Sequence, residues 1–275
     1  MQNVLTVDLE EWFHVCGVPA LGVERWDALP SRIDVTTDRV LTLCAECGIT
    51  ATFLAVGWVA SRYPHVIERV RLAGHEIGSH GHVHARAYEL GRSRFASDLD
   101  ASIAALHAAG VSDVGVFRAP EWSVTPDSLW ALDVLREKGF SIDASMAPLR
   151  MVGDVSGARA PHWRSTSAGS ILEVPPLVAD RFGQVMPIGW GWGLRMSSPR
   201  RVLSCIEAEN LRGRPATLMI HPWELDPDPP RVPLPARLRF AHYFRLDGFA
   251  ARLREILAGA AFGPLSAVTV APGPS

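Results

Sequence analysis

Lysine is almost missing from this chain. Of its 27 basic residues only Lys138 is a lysine, so chemistry that turns on a P-loop lysine or a Schiff-base lysine is nearly excluded. Neither sign of charge is in excess: the formal net charge is −2 and the sequence pI about 6.6. The basic footprint of a nucleic-acid or polyanion partner is therefore absent. No apolar run approaches the ~20 residues of a membrane span. Cysteines number four in 275 residues, too few for a disulfide-stapled scaffold in a chain too long to need one, which points to a reducing compartment. Cys44-Ala-Glu-Cys47 has the spacing of a zinc or redox site, but no second cysteine pair completes it, and it reads as the buried end of a helix.

Met1-Gln2-Asn3 runs directly into the apolar Val4-Leu5-Thr6-Val7, with no basic n-region and no long h-region. The expectation is a cytoplasmic protein without a transmembrane segment, working in the cytosol or peripherally at the inner face of the membrane. Hydrophobic residues make up 48% and charged residues 20%, which excludes wholesale disorder. A chain of this size buries roughly 70–75% of its extended surface on folding.

Short apolar runs alternate with helical patterns. Strands are expected at Val4–Asp8, Ala51–Val56, Glu76–Ser79, Val114–Arg118, Phe140–Asp143, Ile171–Val174 and Ala216–Ile220. Helices are expected at Asp34–Cys47 (stopped by Gly48), Trp58–Ala73, Ser93–Ala109, Pro126–Lys138, Pro199–Leu211 and Leu246–Ala258. Alternating β and α units predict an α/β fold with a mostly parallel sheet or barrel, and with functional groups at the strands' C-terminal ends. The stretch 149–195 breaks the rhythm and is expected to be an irregular insertion within a single domain, 1–275.

Five strand ends carry ionisable residues: Asp8-Leu9-Glu10, Ser79-His80-Gly81-His82-Val83-His84, Arg118-Ala119-Pro120, Asp143-Ala144-Ser145 and His221-Pro222-Trp223-Glu224. On one rim these acids, imidazoles and a guanidinium have the composition of a hydrolytic metal site. Two imidazoles and a carboxylate leave coordination positions open for water and substrate. Spacing alone leaves three histidine pairings: His80 with His84 across a helical turn, or His82 with either on a strand. Asp8 and Glu10 share a face of an extended strand, so one can ligate while the other serves as base, with Arg118 as its permanent counter-charge. His221 is a candidate general acid, and Asp143 is the nearest strand-end acid that could support it. Trp122, Trp190 and Trp192 are candidate sugar-stacking platforms.

These motifs resemble, in order, those of the polysaccharide deacetylases of carbohydrate esterase family 4, with the nodulation-type deacetylase domain. Asp8-x-Glu10 resembles the first motif, His80-x-x-x-His84 the metal-histidine motif and Arg118-Ala119-Pro120 the third. Asp143-x-Ser145-x-x-Pro148 resembles the fourth, and Leu218-x-Ile220-His221-Pro222 the fifth. The resemblance implies a distorted (β/α) barrel and one divalent metal, usually zinc, with cobalt, nickel or manganese as alternatives. It implies Glu10, His80 and His84 as metal ligands, Asp8 as base and His221 as acid. Arg118 would orient Asp8, Asp143 would tune His221, and a backbone N–H after Pro120 would face the oxyanion of an attacked N-acetyl group.

Glu10-Glu11-Trp12-Phe13-His14, His221-Pro222-Trp223-Glu224 and His242-Tyr243-Phe244 are similar to deacetylases of bacterial exopolysaccharide assembly, including exosortase-associated and holdfast types. That narrower likeness implies a family-specific C-terminal segment at about 222–265. It implies as substrate an N-acetylated glycan or a lipid-linked oligosaccharide. Three positions depart from the family pattern: Glu10 stands where aspartate is usual, Glu121 follows Pro120, and His82 lies between the ligands. Hydrolysis of another amide on this scaffold, a formamido sugar or cyclic ureide, and a catalytically inactive carbohydrate-binding module are the competing functions.

Overall fold

Strand β1 (Asn3–Leu9) is buried at every position, as a parallel strand covered on both faces must be. Its alternation sorts the side chains. Leu5, Val7 and Leu9 join the main apolar core, whereas Val4 joins a smaller cluster with Leu54, Val116, Ala144 and Leu172. Thr6 and Asp8 follow Val4 at the strand's period of two, so the sheet's inner face carries Asp8. The structure, a computed structural model, describes residues 1–150, 152–181, 183–226 and 228–271.

Helix α1 (Ile33–Cys47) stops where expected, at Gly48 with φ 64°, a left-handed cap that glycine adopts without a Cβ penalty. Its Cys44 thiol is buried, and burial pushes its pKa up to about 12, so it packs as an apolar group. After β2 (Thr52–Ala55) the expected single helix 58–73 is two, α2 (Gly57–Arg62) and α3 (Pro64–Leu72). Pro64 has no N–H to continue the ladder and opens the second helix in its first turn. Strand β3 (Glu76–Ser79) leads to α4 (Ala87–Ala108), which begins ahead of Ser93 and kinks at Gly91. Strand β4 (Val116–Phe117), helix α5 (Trp130–Glu137) and strand β5 (Ile142–Asp143) complete the first series.

The stretch 149–195 is more regular than its composition predicts. Strands β6 (His162–Thr166) and β7 (Gly169–Glu173) form an antiparallel hairpin whose second strand adds parallel to β5. A second hairpin joins β8 (Ala179–Arg181) to β9 (Gln184–Met186), and α6 (Gly191–Met196) follows. Strand β6 has no buried residue; an edge strand of that kind leaves no apolar signal. Helix α7 (Pro199–Leu211) and strand β10 (Thr217–Ile220) fall where the pattern places them. The remaining elements are α8 (Ala236–Tyr243), α9 (Phe249–Ala258) and the two-residue β11 (Phe262–Gly263).

The main sheet runs β10-β1-β2-β3-β4-β5-β7-β6, with β11 also on β1. Every pairing in it is parallel except that of β6 with β7. It curls into the distorted barrel expected, open between β10 and β6, which do not pair among the described residues. No helix of the described residues is long and apolar enough to cross a membrane.

Candidate active site

Beyond β1 the two adjacent glutamates separate. Glu11 turns back to cap α1, its carboxylate accepting from the backbone N–H of Arg32 and Ile33 at 3.1 and 3.2 Å. Glu10 stays with the inner row. Past β3 the chain makes an irregular turn rather than a helical one, with positive φ at Gly81 and His84. Asp98 holds that turn by accepting from His82 N and Val83 N at 2.8 and 3.1 Å. The His82 ring lies against Gly57, where an added Cβ would stand 2.5 Å from its Nδ1.

Of the three histidine pairings that spacing leaves open, the fold assembles His80 with His84. One ligand atom each from Glu10, His80 and His84 lies within 4.8 Å of the others, and all three residues are buried. His84 Nε2 is 2.6 Å from Glu10 Oε2, and His80 Nε2 is 3.9 Å from the same oxygen. Each ring is held by its other nitrogen: His80 Nδ1 donates to the Arg118 carbonyl at 2.8 Å, and His84 Nδ1 faces Cys16 Sγ at 3.7 Å. That is the outer hydrogen bonding that aims an imidazole at an ion.

Burial alone would raise the Glu10 pKa, but His84, His221 and His80 more than offset it and hold this carboxyl far below the usual range. Burial likewise opposes charge on His84, yet Glu10 and Cys16 raise it well above an ordinary histidine. His80 goes the other way, its pKa brought down to about 4 chiefly by burial. The cluster draws positive charge strongly into an apolar setting. A divalent cation suits this carboxylate and these two ring nitrogens, the donor set of zinc-type hydrolytic sites.

Asp8 stands beside the cluster, its Oδ2 3.8 Å from His80 Nε2. Its other oxygen meets Arg118 Nη1 at 2.6 Å. The guanidinium is locked in turn by Thr6 Oγ1 at 2.8 Å and the Ala144 carbonyl at 2.9 Å, and lies 4.6 Å over the Trp122 ring. After Pro120 the backbone enters the left-handed region twice, at Glu121 (φ 52°) and Trp122 (φ 55°), local strain that a fold retains where a loop must be aimed. Glu121 pairs with Arg86 at 2.6 Å. Trp122 and Trp190 pack on each other at 5.1 Å in a buried cluster, so they are core rather than open sugar platforms. Trp192 is half-buried, 6.2 Å from Phe240.

The acid at His221 is not Asp143. The register places Asp143 in a row with Phe117 and Glu173, and the pleat alternates that row with the inner-facing Ile142, Ala144 and Leu172. Asp143 is bonded instead by Ser145 Oγ and interacts with Glu173, and burial first, then this pairing, raises the Glu173 pKa well above normal. The carboxylate at His221 is Glu224. Its Oε2 accepts from His221 N at 2.9 Å and faces Nδ1 at 3.2 Å. His221 Nε2 then points toward Glu10 Oε1 at 3.5 Å, and its side chain keeps 17% exposure, more than any other group of the cluster. Spacing carried a signal for Glu224, since an acid three residues after a residue preceding Pro222 fits a helix-start box. Trp223 is a further site residue: it donates to Glu10 Oε1 at 3.1 Å and stacks between His221 and His242.

Fold and site together define an α/β half-barrel with a buried carboxylate–imidazole cluster at the C-terminal ends of its strands. Residues 25–141 match the family model described as polysaccharide deacetylase, and residues 144–270 match one described as a domain of unknown function, DUF3473. Residues 25–141 are thus similar to the polysaccharide deacetylase domain, and residues 144–270 to DUF3473. His80, His84 and Arg118 come from the first matched region, His221 and Glu224 from the second, and Asp8 and Glu10 precede both.

Among solved structures, the fold is similar to a protein of Mycobacterium smegmatis provisionally described as a polysaccharide deacetylase. The TM-score is 0.63 at 19% identity, over 96% of this chain and 86% of that one. A family 4 carbohydrate esterase from Streptomyces lividans, in complex with acetate, gives 0.53 at 16% identity over 99% and 98%. A pseudoenzyme of the same esterase family from Bacillus anthracis gives 0.51 at 13% over 96% and 64%. Comparison with curated proteins gives no match.

Proposed function

We propose that this protein is a metal-dependent N-deacetylase acting on N-acetylhexosamine units of a bacterial exopolysaccharide or its lipid-linked precursor. One observation carries the proposal: Glu10, His80 and His84 converge within 4.8 Å, with Asp8 and His221 flanking them. Glu10, His80 and His84 would hold a divalent ion, zinc by preference. When bound, the ion supplies Lewis-acid polarisation to water and to the amide carbonyl.

The chain's own groups supply the proton traffic. Asp8, oriented by Arg118, takes the proton of the attacking water. His221 Nε2 gives a proton to the amide nitrogen as the C–N bond breaks, releasing acetate and a free amine. The backbone N–H of Glu121 is the candidate oxyanion donor. Having Asp8, Arg118 and His221 together supports catalysis over a binding module, because saccharide binding needs no acid–base set.

Pairing of β1 with both β2 and β10 supports reading 1–275 as one deacetylase domain. The unpaired state of all four cysteines supports a reducing, cytoplasmic setting. Beside the site, α8 exposes Phe240 and stacks it on the exposed Phe244 at 4.5 Å. Arg231, Arg237 and Arg239 are exposed there without a carboxylate partner among the described residues. This pairing of aromatic and cationic groups supports contact with an anionic lipid surface, where a lipid-linked substrate would be met.

The decisive experiment is acetate release from N-acetylglucosamine oligomers by zinc-loaded protein, with Asp8→Asn as control. Acetate from the wild type alone is expected. No acetate from either, on oligomers and on a lipid-linked N-acetylated acceptor alike, overturns the proposal.

A further inference from the structure

Two buried ionic groups outside the metal cluster call for an explanation. Arg195 and Glu224 are both 0% exposed, with Arg195 Nε 2.9 Å from Glu224 Oε1. A buried ion pair is generally no more stabilising than apolar residues of the same volume. What this pair does is geometric. Arg195 is anchored by donating to the carbonyls of His242 at 3.1 Å and Phe244 at 2.7 Å, and to that of Ala241. Its helix α6 seats closely: a Cβ on Gly193 would fall 1.8 Å from the Pro187 carbonyl oxygen, so only glycine fits there. Glu224, fixed on one side by Arg195, spends its other oxygen on the backbone and ring of His221.

We propose that Glu224, locked by Arg195, is the positioning residue for His221, and that DUF3473 supplies this device in place of the expected Asp143. A carboxylate has nothing to donate, so His221 Nδ1 carries the proton shared with Glu224. That leaves Nε2 as the nitrogen turned to the metal cluster and to the scissile amide. Trp223, stacked on the ring at 4.8 Å, blocks rotation out of this plane, and Glu224 selects the correct face of the two-fold flip. Burial opposes charge on Glu224, but Arg195 and His221 keep its pKa below normal, so the acceptor is present throughout the neutral range.

The catalytic part of this inference rests on the deacetylase proposal; the positioning part does not. The test uses Glu224→Gln and the double variant R195M/E224Q, which removes both charges and leaves no buried ion unpaired. In full-length zinc-loaded protein the wild type is expected to show a downfield Nδ1–H proton resonance from His221, identified by its absence in His221→Asn. Both Glu224 variants are expected to lose it or move it upfield, and Asp143→Asn to retain it. On N-acetylglucosamine oligomers, kcat is expected to fall about 10–100-fold in both Glu224 variants, the range for outer hydrogen-bond partners. KM should change less than about two-fold, since substrate binding is not touched. An unshifted resonance in Glu224→Gln, its loss in Asp143→Asn, or wild-type kcat in both Glu224 variants overturns the inference. Wild-type protein that shows the resonance but releases no acetate defeats the deacetylase proposal and leaves the positioning role standing.

Discussion

Arg118 grips both halves of the site: its carbonyl accepts from His80 Nδ1 at 2.8 Å while its guanidinium meets Asp8 at 2.6 Å. A proposed metal ligand and the proposed base are thereby fixed relative to each other by one residue. Neither can shift without disturbing the other.

Asp8 and His80 should part company in their mutants. Asp8→Asn is expected to reduce kcat by about 10²–10⁴-fold, the range for removing a general base, while the zinc content measured by elemental analysis stays near one per chain. His80→Ala is expected to lose most of that zinc. Full activity in the first removes Asp8 from the base role, and full zinc in the second removes His80 from the ligand set.

Arg118→Met leaves Asp8 buried without its counter-charge. Breaking a buried pair from one side costs about 3–5 kcal/mol, so denaturant unfolding should show a loss of that order. An unchanged midpoint would mean that the carboxylate finds another partner.

The fold was legible where periodicity is strong. The strands of the half-barrel and α1 and α7 stand close to their expected places because buried parallel strands and amphipathic helices advertise themselves. Strand β6 has little apolar content and α8 has apolar residues but no buried apolar stripe, so neither left such a mark. At the site, residue type and order pointed to Asp8, Glu10, His80, His84, Arg118 and His221, which the fold brings near one another. Spacing left the histidine pairing open and only the resemblance chose His80 with His84, the two rings that the loop held by Asp98 brings to Glu10. Spacing points to Asp143 rather than Glu224 because one residue of register decides which face of a sheet a side chain meets, and spacing along the chain does not reveal it. Trp122 and Trp190 pose a related difficulty: a tryptophan in a loop looks the same in sequence whether it covers sugar or, as here, fills a buried cluster.

Asp143 and Glu173 lead to a pH effect. Each leaves an oxygen without a hydrogen-bond partner, Oδ2 and Oε2, and a proton held between the two carboxyls satisfies both. With the Glu173 pKa raised above its ordinary 4.5 by burial and by Asp143, the folded state holds that proton to a higher pH than the unfolded chain does. The contribution to stability is complete below the ordinary value and lost as pH rises through the folded one. Glu173→Gln does not titrate. Its melting temperature is therefore expected to gain on the wild type as pH rises above the ordinary carboxylate range, and parallel curves would show that no proton is shared.

The arginine and phenylalanine face of α8 should bind anionic vesicles. Arg231→Gln with Arg239→Gln is expected to weaken co-sedimentation with phosphatidylglycerol vesicles by roughly 30-fold, at about 1 kcal/mol per basic residue. Activity on soluble oligomers should persist. Equal sedimentation of wild type and variant would locate any membrane contact elsewhere.

Strand β1 has one further consequence. Val4 to Val7 pair with Thr217 to Ile220, segments far apart along the chain, so during synthesis β1 leaves the ribosome long before this partner exists. One of its edges stays bare through most of translation, and an exposed parallel edge is both slow to pair and prone to aggregate. Molecules caught at that stage already hold Asp8, Glu10, His80 and His84 but lack His221, so the proposed ion-binding groups are made before the proposed acid.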